Sequence, residues 1–138
     1  MMKKKSTLKE KILDEMTVDY ANALERNFEL AKRFVRITSE GKIHVLTKDK
    51  LTGIEQILLY AIGKLYAKEA ELSPVESVTN RELAEELGLP VGSVLPWLKE
   101  LRDTNRLRAL KKGVHVMPIN RVEPTLRAIE EKIREGKK

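Results

Sequence analysis

Apolar residues recur at helical spacing in the first third of the chain. Thr7 and Glu10 have the spacing of a capping box, which predicts a helix that begins near Leu8. The pattern leaves open whether Thr17 interrupts this helix. Steps of three and four residues continue the pattern and predict one apolar helix face that runs to about Val35; the face comprises Tyr20, Leu24, Phe28, Ala31 and Val35.

The pattern then changes from helical to extended. Between Val35 and Leu46 the β-branched residues and the segment Ser39-Glu40-Gly41 predict a β-hairpin with a turn at the glycine. A second capping box, Thr52 and Glu55, predicts the start of the next helix. A broad apolar stripe follows and predicts a well-buried helix from about Gly53 to Ala70; its members are Ile54, Ile57, Leu58, Ala61, Ile62, Leu65 and Tyr66.

Two short helices joined by a tight turn are predicted between Thr79 and Leu107. Thr79 and Glu82 form a third capping box, and a short strand is expected just before it at Ser77-Val78. Gly88 occupies the position where a left-handed residue ends a helix. Ser93 is expected to cap the second helix, whose buried face comprises Val94, Leu98 and Leu101. This order of elements is that of a helix-turn-helix, in which the second helix protrudes far enough to enter a major groove.

A hairpin and a last helix complete the pattern. Asn105 is expected to leave the second helix in the left-handed conformation. The apolar runs 107–110 and 114–117 predict two strands joined by Lys111-Lys112-Gly113, a hairpin with a basic tip that is called the wing below. A final helix is expected from about Pro124 to Glu135, with Leu126, Ile129 and Ile133 on one side.

From Leu51 to about Arg134 the chain resembles the winged helix-turn-helix regulators. The segment GSVLPWLKELRD is similar to the recognition helix of PadR-like and MarR-like transcriptional regulators, and Pro96 matches the PadR-like version best. The resemblance implies a mostly α fold with a small β-hairpin wing, namely a winged helix-turn-helix domain with a C-terminal helix over residues 51–138. Residues 1–50 lie outside the resemblance, and their own pattern predicts an N-terminal helix and a possible β-hairpin that extend this domain. It also implies a protein that binds duplex DNA and regulates transcription.

The distribution of charge agrees with a nucleic-acid partner. The 138-residue chain is 41% hydrophobic and 35% charged, with a net charge of +6. The segment from Lys99 to Arg121 holds seven basic residues against Glu100 and Asp103. A clustered surplus of this kind suits a phosphate-contacting surface, and it is also compatible with an ordinary solvated helix face.

The candidate DNA-binding residues lie on the helix-turn-helix and the wing. Lys99 and Arg102 are expected on the recognition helix and Arg81 on the helix before it, while Lys111 and Lys112 would reach phosphate or the minor groove. His115 on the wing could contact phosphate, but the pattern favours an ordinary strand residue. The full predicted set is Arg81, Ser93, Lys99, Arg102, Arg106, Arg108, Lys111, Lys112 and His115.

Three apolar residues at the start of the recognition helix favour a different partner. Leu95, Pro96 and Trp97 stand where DNA readers usually carry small polar or basic side chains. Pro96 is expected in the first helical turn, and Trp97 is expected to pack against the wing or the N-terminal helix. An exposed apolar tip would suit a protein-binding surface. A protein-interaction module and an RNA-binding or ribosome-associated winged helix therefore remain alternatives.

The composition argues against other function classes. There is no cysteine, which excludes disulfides and thiolate chemistry. His44 and His115 are the only histidines, and neither has a carboxylate at ligand spacing, so no metal site is expected. No catalytic constellation or phosphate loop is present, which predicts a non-enzyme without a cofactor. No signal peptide or membrane span is expected, so the prediction is a cytoplasmic protein. Apolar stripes on both terminal helices make a homodimer the expected state, although both could pack within one chain.

Overall fold

The computed structural model describes residues 7–16 and 20–136. Two 3₁₀ turns, Lys48–Lys50 and Ile119–Arg121, lie among the regular elements. The helices are α1 (Leu8–Glu15), α2 (Tyr20–Arg26), α3 (Phe28–Lys32), α4 (Gly53–Glu69), α5 (Asn80–Leu87), α6 (Val91–Asp103) and α7 (Val122–Gly136). The strands are β1 (Val35–Ile37), β2 (Ile43–Val45), β3 (Val78–Thr79), β4 (Arg108–Lys111) and β5 (Val114–Val116). The prediction of a mostly α chain with a small β-hairpin is confirmed.

Threonine capping boxes begin three of the helices, as the sequence predicts. Thr7, Thr52 and Thr79 each accept a hydrogen bond from the backbone N–H three residues later, at 3.0–3.1 Å. In each case a glutamate at that later position accepts a hydrogen bond from the threonine N–H. Each box satisfies two backbone donors that a helix N-terminus otherwise leaves free.

The single helix predicted to run to Val35 is wrong. The helical backbone breaks at Asn27, which has φ −102° and ψ 9° and separates α2 from α3. The Asn27 side chain is buried and donates to the Ala23 carbonyl at 2.8 Å, which favours the turn over helix continuation. Helix α3 ends at Lys32 because Val35 already belongs to β1. The possible interruption at Thr17 falls on residues 17–19, which lie outside the described residues.

The predicted hairpin of residues 35–46 is confirmed as an antiparallel sheet of β1 and β2 that packs on α4. Val35 pairs with Val45 and Ile37 with Ile43. A β-carbon at Gly63 would lie 2.5 Å from Ile43 Cγ2 and 2.9 Å from Val35 Cγ1, so only glycine allows this close approach. The hairpin thus shares one hydrophobic core with α4. The division into two domains at residue 50 stays a prediction.

Helix α4 is the centre of the core, and a polar contact ties it to α5. Ile57, Leu59, Ile62 and Leu65 are fully buried along its length. On the α5 side, Glu82 Oε2 accepts hydrogen bonds from Tyr60 Oη at 2.6 Å and from Lys64 Nζ at 3.0 Å. Burial, followed by the Glu82 contact, raises the pKa of Tyr60 above its ordinary value. The capping glutamate of α5 therefore also fixes the position of α5 against α4.

The two helices around Gly88 have the predicted order, but α6 begins earlier than the sequence predicts. Gly88 adopts φ +68° and ends α5, as expected. Pro90 occupies the N-cap position without a side-chain hydrogen bond, so Ser93 lies inside the first turn and the prediction that it caps α6 is wrong. Pro96 then lies beyond the first turn, contrary to expectation. The proline has no N–H to donate to the carbonyl of Gly92, one turn earlier, and Gly92 itself is exposed.

The second sheet has the strand order β3–β5–β4, and all of its pairings are antiparallel. Asn105 leaves α6 at φ +60° and Gly113 turns the wing at φ +78°, both as the sequence predicts. The register shifts between Ala109 and Lys111, which places a bulge in β4 near the wing tip. The predicted last helix is confirmed, and its Leu126 and Ile129 are buried in the chain's own core.

Trp97 packs at a place that the sequence does not predict. A β-carbon at Gly53 would overlap the six-membered ring of Trp97, so the indole lies directly on the first residue of α4. This contact is not predicted from the sequence, and packing of Trp97 against the wing or the N-terminal helix stays a prediction. The contact locks the start of α4 to α6.

Candidate nucleic-acid interface

Helix α6 has an inner and an outer face. Val94, Leu98 and Leu101 are at most 1% exposed and attach the helix to the core. Leu95, Lys99 and Arg102 recur at steps of four and three on a second face, about 100° around the helix from the first, where all three are exposed. The outer face therefore carries one apolar and two cationic side chains, and it looks toward the wing.

A cavity of about 590 Å³, called the front groove here, lies between the outer face of α6 and the wing. Its cationic side chains come from both walls, Lys99 and Arg102 from α6 and Lys111 and Lys112 from the wing tip. Among the described residues no carboxylate lines it, so an anion entering the groove meets only positive and neutral groups. The lining residues are Asn80, Leu95, Pro96, Lys99, Arg102, Ala109, Lys111, Lys112, Gly113 and His115.

The four cations differ in how they are already engaged. Lys99 Nζ donates to Asp103 Oδ2 at 2.8 Å, one turn along α6, and this contact lowers the pKa of Asp103. The pair is exposed, so its net contribution to stability is small and a phosphate can compete for the ammonium. Lys111 and Lys112 form no ion pair with any described residue. The wing tip therefore keeps its full charge.

Arg102 is held by the imidazole of His115. Arg102 Nη1 lies 3.0 Å from His115 Nε2. A guanidinium can only donate, so Nε2 accepts and the ring proton is on Nδ1. Burial, and then the neighbouring Arg102 charge, lowers the pKa of His115, which keeps the ring neutral. Because His115 is 1% exposed, it is poorly placed to touch phosphate itself, and its geometry instead positions Arg102.

Four residues predicted to bind DNA lie outside the front groove, namely Arg81, Ser93, Arg106 and Arg108. Arg81 on α5 pairs with Glu85 at 2.9 Å. Arg106 donates to Thr104 Oγ1 at 3.0 Å and lies 3.4 Å from a carboxylate oxygen of Glu100. Ser93 is partly buried in the first turn of α6. The structure thus brings together five of the predicted residues, namely Lys99, Arg102, Lys111, Lys112 and His115.

Arg108, the ninth predicted residue, lines a second cavity of about 430 Å³, called the rear groove here. It lies at the base of β4, where α6 ends and the 3₁₀ turn after β5 begins. The sequence does not predict Asn120 and Arg121 of the rear groove, or Asn80 of the front groove, as binding residues. An asparagine, or a single arginine in a loop, gives no periodic signal in the sequence. The lining residues are Arg102, Asn105, Leu107, Arg108, Ala109, Pro118, Asn120 and Arg121.

Three large apolar side chains are exposed on α6 and β4, and of these only Leu95 lines the front groove. Val91 is 62% exposed and Leu95 is 50% exposed. Leu110, on the edge strand β4, is 53% exposed. Of the predicted apolar tip, Leu95 and Pro96 are exposed, whereas Trp97 is partly buried against Gly53.

The two terminal helices differ in what their apolar residues contact. The stripe of α7 is used within the chain, where Leu126 is fully buried. Helix α1 instead exposes Leu8, Ile12 and Met16, three large apolar side chains at steps of four. A homodimer through α1 remains a prediction.

Other kinds of site receive no support from the geometry. In the described part of the chain no three His, Asp or Glu side chains are grouped so that they could hold a metal ion. Among the same residues, no helix is long and apolar enough to cross a membrane. Comparison with protein-family models, with curated proteins and with solved structures found no match to this chain. The interpretation of the two grooves therefore depends on their own geometry and charge.

Proposed function

We propose that this protein binds duplex DNA as a winged helix-turn-helix transcriptional regulator. The observation that carries the proposal is the front groove, in which cations from α6 and from the wing face one space without a carboxylate among the described residues. A groove with cations on both walls matches a phosphate backbone, which places negative charge along a line.

The arrangement of α6 supports major-groove binding. A helix that is buried on one side and exposed on the other can enter the major groove of B-form DNA, while the deep, narrow major groove of duplex RNA excludes it. With α6 in the major groove of the DNA, Lys111 and Lys112 at the wing tip would reach the flanking DNA backbone or minor groove. Leu95 at the helix surface offers an apolar contact to a thymine methyl group rather than a hydrogen bond to a base.

This composition of the outer face predicts strong dependence on salt and weak dependence on sequence. Lysine and arginine contacts to phosphate carry no sequence information, and Leu95 discriminates little between base pairs. We therefore expect affinity to come mainly from counterion release, with base readout as a small addition.

The decisive experiment is a salt titration with four ligands: duplex DNA, duplex RNA, and single strands of each. The proposal expects duplex DNA to bind most tightly, with a linear fall of log affinity against log salt. Tighter binding to duplex RNA would instead favour the RNA-associated alternative. If none of the four ligands binds at low salt, the nucleic-acid proposal is wrong.

A protein partner is the second candidate function, because Val91 and Leu95 expose apolar surface on α6. Burying an exposed apolar side chain at a protein interface is favourable, while the flanking charges mainly alter the association rate. Substitution of Leu95 therefore separates the two candidates, since it removes an anchor in one case and a minor base contact in the other.

A further inference from the structure

We propose that the rear groove is a second phosphodiester-binding site, so that one nucleic-acid backbone runs from the wing tip past Arg102 to Arg121. The inference rests on the proposed function and extends it to a surface outside the helix-turn-helix and the wing tip. It assigns nucleic-acid contacts to Arg121 and Asn120, in the turn that follows β5.

The two grooves are continuous. Arg102 and Ala109 line both of them, one from α6 and the other from β4. Because β4 is the edge strand of its sheet, no further strand separates the grooves. A chain of phosphates seated beside Lys111 can therefore pass Arg102 and continue along the base of β4.

The rear groove has the chemistry of a phosphate site. Three arginines, Arg102, Arg108 and Arg121, line it together with Asn105 and Asn120. Guanidinium and amide N–H groups are the usual donors to phosphate oxygens. No Asp or Glu lines this groove within the described ranges.

The nearby carboxylates are bound to other cations. Asp103 pairs with Lys99, Glu100 with Arg106, and Glu123 with Arg127. In the part of the chain that the structure describes, neither Arg108 nor Arg121 forms an ion pair. The positive charge of the rear groove is therefore not neutralised from within the protein.

One arginine has a donor without an acceptor. Arg121 Nε is buried and makes no hydrogen bond to any described residue. Buried donors are nearly always satisfied, and an orphan of this kind points to a missing partner. The backbone N–H of Arg121 donates to the Pro118 carbonyl at 2.9 Å, which fixes the turn that presents the side chain. An anion in the rear groove would supply the missing acceptor once the Arg121 side chain turns outward to meet it.

The test compares Arg108→Ala plus Arg121→Ala with a control that removes two cations elsewhere, Lys42→Ala plus Lys68→Ala. Both control lysines are exposed. Lys68 lies at the opposite end of α4 from the Trp97 contact, about 22 Å along the helix axis. We expect the rear-groove variant to reduce the salt slope for duplex DNA by about one to two units for every sequence tested. The control should leave the slope unchanged.

Further measurements keep the outcomes distinct. Arg121→Lys retains the positive charge, so its salt slope should lie between those of Arg121→Ala and the wild type even if Arg121→Ala perturbs folding. Arg108 is exposed, and Arg108→Ala alone should still lower the salt slope. Titration with inorganic phosphate should shift the NMR signals of the Arg108 and Arg121 Nε–Hε groups more than those of Arg134 on α7.

If the rear-groove variant matches the control while Lys111→Ala plus Lys112→Ala still weakens binding, the second site is refuted and the proposed function stands. If the wild type binds no DNA but phosphate shifts these signals, the anion site stands and its nucleic-acid ligand is refuted. Absence of both effects refutes both proposals.

Discussion

Replacing both wing-tip lysines, Lys111→Ala plus Lys112→Ala, is the most direct perturbation of the proposed interface. Both side chains are exposed and form no ion pair within the described structure, so the free energy of unfolding should change by less than about 0.5 kcal/mol. The variant therefore isolates the contribution to binding.

The size of the effect follows from counterion release. Each phosphate contact adds about 0.9 to the slope of log affinity against log salt. Lowering salt from about 1 M to about 0.1 M then strengthens binding by roughly eightfold per contact, or about 1.2 kcal/mol. If both lysines reach phosphate, the variant should bind about 60-fold more weakly at the lower salt and lose nearly two units of slope.

Fluorescence anisotropy with a labelled duplex, repeated across salt concentrations and with two unrelated sequences, measures both quantities. The loss should be equal for the two sequences because phosphate contacts do not read bases. The Lys42→Ala plus Lys68→Ala variant controls for net charge. An unchanged salt slope would remove the wing from the interface and contradict the reasoning.

Four further predictions test other parts of the structure. Lys99→Glu plus Arg102→Glu should weaken duplex binding more than tenfold, about 1.4 kcal/mol, at low salt, while Leu95→Ser should change it little. The DNA proposal is contradicted if the charge-reversed variant keeps wild-type affinity for DNA, or if a protein partner is found whose binding is lost in Leu95→Ser and kept in the charge-reversed variant. The pKa of His115 is lowered in the folded state, so its contribution to stability is complete above its ordinary value of 6.5 and is lost as the pH falls below that value; denaturation curves should show this loss in the wild type and not in His115→Gln. Gly63→Ala should destabilise the chain by about 1–3 kcal/mol in urea denaturation, because crowding between α4 and the hairpin exceeds the roughly 1 kcal/mol gained in helix propensity, and unchanged stability would show that the hairpin can shift. Sedimentation at micromolar concentration should show a dimer, and truncation of α1 should yield a monomer if its exposed apolar stripe is the interface; a monomeric wild type rules out this interface.

Local rules predicted most of the secondary structure because its signals are local. The three threonine capping boxes and the left-handed residues Gly88 and Asn105 depend on neighbours within a few positions, and all of them occur as expected. The errors arise where a competing local interaction decides the outcome. Asn27 satisfies the Ala23 carbonyl with its side chain and breaks the helix, and Pro90 replaces Ser93 as the N-cap residue of α6.

The candidate interface could be predicted only in part. Helical spacing places Lys99 and Arg102 on one exposed face, and the spacing of Arg81 and Glu85 also indicates the ion pair that occupies Arg81. The contact of Arg106 with Glu100 crosses the end of α6, and the contact of Arg102 with His115 crosses from helix to strand. Such contacts depend on tertiary geometry, so the sequence could not show which cations remain available or that His115 is buried.

The packing of Trp97 on Gly53 gives the protein a fluorescent reporter of its own. Trp97 is the only tryptophan in the chain, and it lies on α6 against the first residue of α4. Its emission therefore reports the position of α6 relative to α4, and no added label is needed. Any ligand that shifts α6 relative to α4 should change the emission wavelength, whereas unfolding confined to α1 should leave it unaltered.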